Sequence, residues 1–467
     1  MDQKAVPTLL ELAMKSLLTN EPAAIQALDE LPRDIFVPLF TCAFLGRKKE
    51  MLKSMVKVWP FYCLHIGRLT TEDSTYKILK AMVDGLHLLP AQNSYPWGSK
   101  LRVLDLRQDY NHGIVCTYRV KYPFCSQSCA YAQHSNLKLN EAQPNLMCVE
   151  MDTSESEPLP VKEHIELLID ISFNSTLRTK RFLSFLKSKI EQSYGCLHLC
   201  CRNLQLDNLS APTNSLQVLD PACIDHLEVN EGDLKKVTTL LPQLIHLNSL
   251  SFNDVPFKLC KGKHFRNFVI WLGKLNNLNE LKLSFFCLRN QLHKLLRVLP
   301  PQLETLSLSC CYLSTRDIIF LSQSSQVTQL KLLNLSHNQM LREVCEPLKT
   351  MLERVSGTVQ HLELNNCHIT NSTLSVILPA LSHCSCLQVF SFNCNPITIR
   401  ALIDILQYLT ALTELKHVIY PIPIDCYEQW DINGILNQQK LVEVQTQLKL
   451  MLQEAKREDM YWTAFPQ

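Results

Sequence analysis

The sequence predicts an α/β solenoid in which short parallel strands alternate with helices, preceded by a helical N-terminal segment. Three observations carry that prediction. A leucine pattern recurs in register five times between residues 278 and 397, its starts 25, 27, 29 and 28 residues apart. Between copies the apolar period changes from two to about 3.6 residues, the mark of a strand followed by a helix. Leucine makes up 81 of the 467 residues, while glycine accounts for only 11, roughly a third of average usage.

Along the chain, residues 1–95 form the helical segment. Helices are predicted over 8–18, 23–28, 33–45, 48–59 and 75–88, punctuated by Pro22, Pro32, Pro38, Pro60 and Pro90. The repeat region is expected over 96–425. Leu101-Leu104-Leu106 opens it, and Leu197-Leu199-Leu204-Leu206, Ile224-Leu227-Val229 and Leu247-Leu250-Phe252 are irregular copies. Residues 108–160 interrupt it with a stretch of little periodicity that ends in acidic, serine-rich sequence, which predicts a mobile insert. Residues 161–193 return to helical spacing. The regular copies are Leu278-Leu281-Leu283-Phe286-Leu288, Leu303-Leu306-Leu308-Cys311-Leu313, Leu330-Leu333-Leu335-Asn338-Met340, Val359-Leu362-Leu364-Cys367-Ile369 and Leu387-Phe390-Phe392-Asn395-Ile397. A degenerate sixth starts at Leu412. In the remainder, 426–467, an amphipathic helix over 436–455 is expected to cover the last repeat.

Each copy fits L-x-x-L-x-L-x-x-[N/C]-x-L, the signature of a leucine-rich repeat. Alternate leucines such as Leu306 and Leu308 point inward from a strand. The Asn or Cys lies where the chain leaves the strand and donates to backbone carbonyls of the turn, Cys being the weaker donor. Helical runs such as Leu374, Ile377, Leu378 and Leu381 follow, with Thr373 and Thr398 expected as caps. One strand and one helix cannot bury their apolar side alone. Stacked copies are therefore expected to form a horseshoe of the ribonuclease-inhibitor type, strands on the concave face and helices outside.

Composition narrows the function. Lys+Arg number 46 against 44 Asp+Glu, a net charge of +2, which argues against direct nucleic-acid binding. Neither G-x-x-x-x-G-K-[ST] nor G-x-G-x-x-G occurs, which excludes nucleotide enzymes of those types, and H-E-x-x-H and G-x-S-x-G are missing too. No apolar run approaches the ~20 residues that cross a bilayer, and Met1-Asp2-Gln3-Lys4 opens no signal-peptide pattern. A cytoplasmic or nuclear location is expected, with no membrane partner and with most of the 20 cysteines reduced and buried as small hydrophobes. The nearest approaches to a metal cluster are Cys125-x-x-x-Cys129 with His134, and Cys196-x-x-x-Cys200-Cys201. Neither has paired C-x-x-C spacing, and structural zinc takes four ligands, so neither a metal nor a cofactor is expected. Leu292-x-x-Leu295-Leu296 matches the L-x-x-L-L string of helices that dock on nuclear receptors. Helices of a leucine-rich solenoid produce the same string with its leucines buried.

Two motifs stand in order near the N-terminus. Thr8-Leu9-x-x-x-Ala13-x-x-x-Leu17 resembles the elongin-binding box, and Leu31-Pro32-x-x-Ile35-x-x-x-Leu39 resembles the cullin-2 box that follows it. The first implies a helix entering a groove on elongin C, with Leu9 as anchor, a small Ala13 allowing close approach and Leu17 completing the stripe. Further strings are spread along the chain: Leu10-Glu11-Leu12-Ala13, Leu31-Pro32-Arg33-Asp34-Ile35-Phe36, Val58-Trp59-Pro60-Phe61, Leu101-Arg102-Val103-Leu104-Asp105-Leu106-Arg107, Leu381-Ser382-His383-Cys384-Ser385 and Val418-Ile419-Tyr420-Pro421. Together they resemble the PRAME family of leucine-rich-repeat proteins, expressed mainly in germline, early embryo and tumours. The resemblance implies a substrate receptor of a cullin-2 RING ubiquitin ligase, partnered by elongins B and C, cullin-2 and its RING subunit. It also implies roles in restraining differentiation, apoptosis and transcription.

The target-binding surface follows from strand alternation, since outward residues alternate with buried leucines. It is expected to include Glu280, Lys282, Thr305, Ser307, Asn334, His361, Glu363, Asn365, Ser391 and Asn393. These are mixed, small and polar, with no cluster of acid, base and nucleophile, which suits recognition of a protein target and predicts no active site. The alternative is a ligase-independent interaction module acting as a transcriptional corepressor.

Overall fold

In the computed structural model the inward leucines of the repeat are buried, and the strands that carry them pair in parallel. The structure describes residues 8–61, 63–66, 75–86, 100–107, 165–173, 177–207, 219–231, 234–254, 262–339, 345–428 and 434–464. The expected insert at 108–160, with Cys125, Cys129 and His134, lies outside these residues. The chain divides into two compact units, one running to Leu204 and including residues 211–223, the other comprising 205–210 and everything from Ile224 onward.

The first unit opens with helices α1 (Leu9–Leu17), α2 (Glu21–Gln26), α3 (Arg33–Leu45) and α4 (Lys49–Lys57), then strand β1 (Cys63–His65) and α5 (Thr75–Asp84). It continues with β2 (Val103–Asp105), β3 (Ile165–Phe173), α6 (Leu177–Gln192) and β4 (Leu197–Leu206). Its helical core is aromatic. Trp59 is 1% exposed and meets the rings of Phe36, Phe40 and Phe61 edge-on at centroid distances of 6.1, 5.5 and 5.6 Å, an arrangement that suits the ring quadrupoles. Its indole nitrogen donates to the Cys63 carbonyl at 2.9 Å, so the polar edge is satisfied and the helices are tied to the start of the sheet. β1 pairs in parallel with β2, and β2 with β3.

A buried ionic cluster sits on these first strands. Asp105 accepts from His65 Nδ1 at 3.0 Å, and from Arg107 Nε and Nη2 at 2.9 and 2.8 Å. Burial pushes its carboxyl up, but the bonds from Arg107 and His65 outweigh burial and bring the pKa from 3.8 down to about 2. A carboxylate whose folded pKa is depressed contributes its full stability above the unfolded value and loses it as the pH falls toward the folded one; here that is roughly 2 kcal/mol. The first unit should therefore weaken between about pH 4 and pH 2. Asp105→Asn should be less stable at neutral pH and should lack that acid limb. Denaturation midpoints of parent and variant across this range are the check.

The second unit holds β5 (His226–Asn230), α7 (Leu234–Leu240), β6 (Ser249–Asn253), α8 (Gly262–Leu272), β7 (Glu280–Ser284), α9 (Leu292–Leu296), β8 (Thr305–Ser309) and α10 (Thr315–Gln323). After these come β9 (Leu332–Asn334), α11 (Cys345–Val355), β10 (His361–Glu363), α12 (Asn371–Leu381), β11 (Val389–Ser391), α13 (Ile399–Leu409), β12 (His417–Tyr420), α14 (Gln438–Glu454) and β13 (Tyr461–Ala464). Each strand pairs in parallel with the next. The register aligns Leu227, Leu250, Leu281, Leu306, Leu333, Leu362, Phe390 and Val418 in one column, every member of it 1% exposed or less. Full burial of each such side chain contributes on the order of 2 kcal/mol.

The Asn and Cys positions do what their chemistry allows. Asn338 Nδ2 donates to the carbonyls of Leu308, Leu335 and Ser336 at 2.7, 2.9 and 3.2 Å, while its Oδ1 accepts from Leu313 N at 3.1 Å. Cys311 Sγ reaches the Leu283 carbonyl at 3.2 Å, and Cys367 Sγ that of Leu335 at 3.3 Å. Burial pushes the Cys367 thiol up to about 12, as expected of an inert packed thiol. Just before each of these positions the chain turns through left-handed geometry without glycine: Phe285, Cys310, His337, Asn366 and Cys394 have φ of 54°, 52°, 61°, 48° and 56°.

Several sequence expectations need correction. Residues 165–173 are strand, not helix. Strand pairing in the first unit already begins at Cys63, before the expected boundary at residue 96, and in the second unit it extends past residue 425 to Tyr461–Ala464, which pairs with β12. The helix over 438–454 packs on the last repeat through Leu441, Val444 and Leu448 and also leads into a further strand. Thr398 caps α13, but α12 is capped by Thr370; Thr373 lies inside it, where its backbone nitrogen donates to the cap.

Candidate partner-binding faces

The N-terminal helix α1 is set by its cap. Thr8 Oγ1 accepts from Glu11 N at 3.2 Å, and Glu11 Oε2 accepts from Thr8 N at 2.9 Å, a reciprocal capping box that satisfies two otherwise unpaired donors. Only Met14 and Leu18 of this segment are buried. Leu9 is 84% exposed, Leu10 and Leu12 are about half exposed, Ala13 is exposed, and Leu17 is half-buried. Leu9, Ala13 and Leu17, spaced by four, thus form a stripe that opens toward the helix start.

The second box begins at the N-cap of α3. Pro32 holds the cap position and is exposed, while Leu31 and Ile35 are half-buried. Leu39 is a correction. It is fully buried at 0% exposure, because the α3 face that carries it, with Phe36, Phe40 and Ala43, packs into the aromatic core; it has no surface to offer a partner.

On the outward strand face, Glu280 and Lys282 form an ion pair. Asn334 Nδ2 donates to Glu363 Oε2 at 2.9 Å; Ser391 Oγ and Asn393 N both donate to Asn365 Oδ1, at 2.6 and 2.8 Å. Burial pushes the Glu363 carboxyl up, against the opposing pull of His361 and Lys282. Thr305, Asn334, His361, Glu363, Asn365 and Asn393 are partly accessible. Ser307 and Ser391 are 7% and 4% exposed; neighbouring strands cover these short side chains, so they support the face without being contacts on it. The pattern is a ladder of fixed donors and acceptors, suited to reading a polar partner surface. Sequence reasoning missed Phe285 and Tyr312, 54% and 59% exposed, both at left-handed turn positions. The available signal was an aromatic beside the repeat's Phe286 or Cys311, at a position that faces out of the turn.

The leucines of the L-x-x-L-L string, Leu292, Leu295 and Leu296, are 1%, 0% and 5% exposed, held in the repeat core. No helix among the described residues is long and apolar enough to cross a membrane.

Two domain profiles tile the chain: the PRAME N-terminal domain matches residues 6–112 and the PRAME C-terminal domain residues 165–466. The chain belongs to the PRAME family. It is 33% identical over 469 residues to human PRAME family member 22, covering 98% of this chain and 92% of that one. It is also 33% identical over 442 residues to human PRAME family member 12, with 92% and 87% covered. The rat leucine-rich repeat-containing protein 14 is 29% identical over 496 residues, 98% of this chain and 97% of the relative. The PRAME profiles thus cover both α1 and the repeat ladder, the two faces described above.

Proposed function

We propose that this PRAME-family chain is the substrate-recognition adaptor of a cullin-2 RING ubiquitin ligase. Elongin C would take α1 through Leu9, Ala13 and Leu17, cullin-2 would take Leu31, Pro32 and Ile35, and a target protein would lie on the outward strand face. The observation that carries this reading is the exposure of Leu9. A leucine 84% exposed on a capped helix is disfavoured in isolation, since it leaves apolar area in water; a groove on a partner would remove that area. The corepressor alternative uses the strand face alone and leaves Leu9, Leu10 and Leu12 without a role. Under the proposal, elongins B and C co-purify with the full chain from cells at near-equal amounts, and the target accumulates when the proteasome is inhibited. A chain that carries its target but no elongin would overturn the adaptor reading and leave the interaction module.

A further inference from the structure

Strand β4 carries His198 and Cys200 two residues apart, hence on one face of the strand. The chain returns to that face at a short 3-10 turn, Pro221–Cys223. Asp220 shapes the turn: its Oδ1 accepts from Ala222 N at 2.9 Å, while its Oδ2 lies 3.2 Å from His198 Nε2. Cys223 Sγ lies 3.9 Å from the same nitrogen, and the ligand atoms of His198, Asp220 and Cys223 are all within 4.8 Å of one another. Cys200, 4% exposed, stands outside that group of three, with its thiol beside the Cys223 thiol.

The separations among His198, Asp220 and Cys223 are near those of a coordination shell, which the neighbouring Cys200 thiol would complete. A tetrahedral ion with bonds of about 2.0–2.3 Å places its ligand atoms roughly 3.3–3.8 Å apart. We propose that His198, Cys200, Asp220 and Cys223 form a zinc site of two thiolates, one imidazole and one carboxylate. Sulfur and imidazole ligands select zinc over magnesium or calcium, which take oxygen shells. Two thiolates and a carboxylate exceed the ion's charge by one; Arg202, close to Cys200, counters the excess, while Glu166 adds negative charge beside both thiols. Among the described residues, no other group of three His, Cys, Asp or Glu side chains converges this way. The ion would clip the 220–223 turn to β4, a structural role.

The full chain, purified without chelator and dialysed against metal-free buffer, is expected to retain about one zinc per chain. Cobalt substitution should give the visible bands of a tetrahedral ion and a near-ultraviolet charge-transfer band of two thiolates, read on the parent protein without any mutation. Cys200→Ser and Cys223→Ser should each lose the zinc or bind it at least tenfold more weakly, while Cys386→Ser, far along the chain in the second unit, should keep it. Chelation should lower the melting temperature of the parent and leave the Cys223→Ser protein unchanged. Three results would each overturn the site: zinc at background with a colourless cobalt form, zinc retained in the Cys200→Ser/Cys223→Ser double variant, or a Cys200–Cys223 disulfide in protein taken from a reducing cytosol.

Discussion

Leu9→Ala is expected to weaken elongin C binding by roughly thirtyfold without moving the melting temperature. The magnitude follows from the anchor role: truncating a leucine that fills a partner's pocket costs ~2 kcal/mol or more, and each ~1.4 kcal/mol is tenfold in affinity. The unchanged melting temperature follows from exposure, since a side chain 84% exposed in the free protein gives up little when shortened. Pro32→Ala and Ile35→Ala added to it should remove cullin-2, while target binding survives and target ubiquitination is lost. Titration of purified elongin B/C against parent and variant decides the matter. Equal affinities would end the adaptor proposal. A drop in melting temperature would show instead that Leu9 packs on the protein itself.

Asn395→Ala should be among the most destabilising single changes in the second unit. Asn395 Nδ2 donates to the carbonyls of Leu364, Phe392 and Asn393, and its Oδ1 accepts from the amides of Cys367 and Ile369, each at 3.0 Å. The residue is 0% exposed, so water cannot replace what is removed. Buried amides and carbonyls left without partners cost about 1–3 kcal/mol each; with partial relaxation the loss should be on the order of 4 kcal/mol. Asn395→Cys should lose less, because a thiol at the equivalent position of Cys367 still reaches two carbonyls. Denaturant midpoints give the magnitudes, and hydrogen exchange at the Cys367 and Ile369 amides gives the location. A loss below ~1 kcal/mol would mean that the turn repairs its hydrogen bonds without Asn395.

The repeat was legible because its signal is redundant: five copies place a leucine, an alternate leucine and an Asn, Cys or Phe at fixed offsets, and the ladder aligns Leu281, Leu306, Leu333, Leu362 and Phe390 residue for residue. The misread elements had no such redundancy. Over 165–171, Leu168 is buried as well as Ile165, Leu167, Ile169 and Ile171. A strand covered on both faces loses its period of two and cannot be told from a helix by spacing. Cys63-Leu64-His65 is too short to show any period, and only its pairing with Val103–Asp105 reveals it. The two boxes show the limit at sites. Leu9 and Leu39 each occupy a motif position, yet one is exposed and the other buried, because burial depends on which helix face the body covers. His198 and Cys200 could not have been linked to Asp220 and Cys223 by spacing, since the fold, not the sequence, brings the two pairs together.

In the second unit every strand lies beside the one that precedes it in the chain. A nascent polypeptide leaving the ribosome therefore finds the template for each new strand already outside, one repeat earlier. The unit can grow by accretion from its N-terminal side, with closure distances of about one repeat that lengthen to 44 residues between His417 and Tyr461. Translation halted partway would leave a shorter ladder with its last apolar edge open, a form for chaperones to hold. Among the described strands of the second unit, Tyr461–Ala464 has the longest wait, since the whole of α14 must emerge before it can dock on β12.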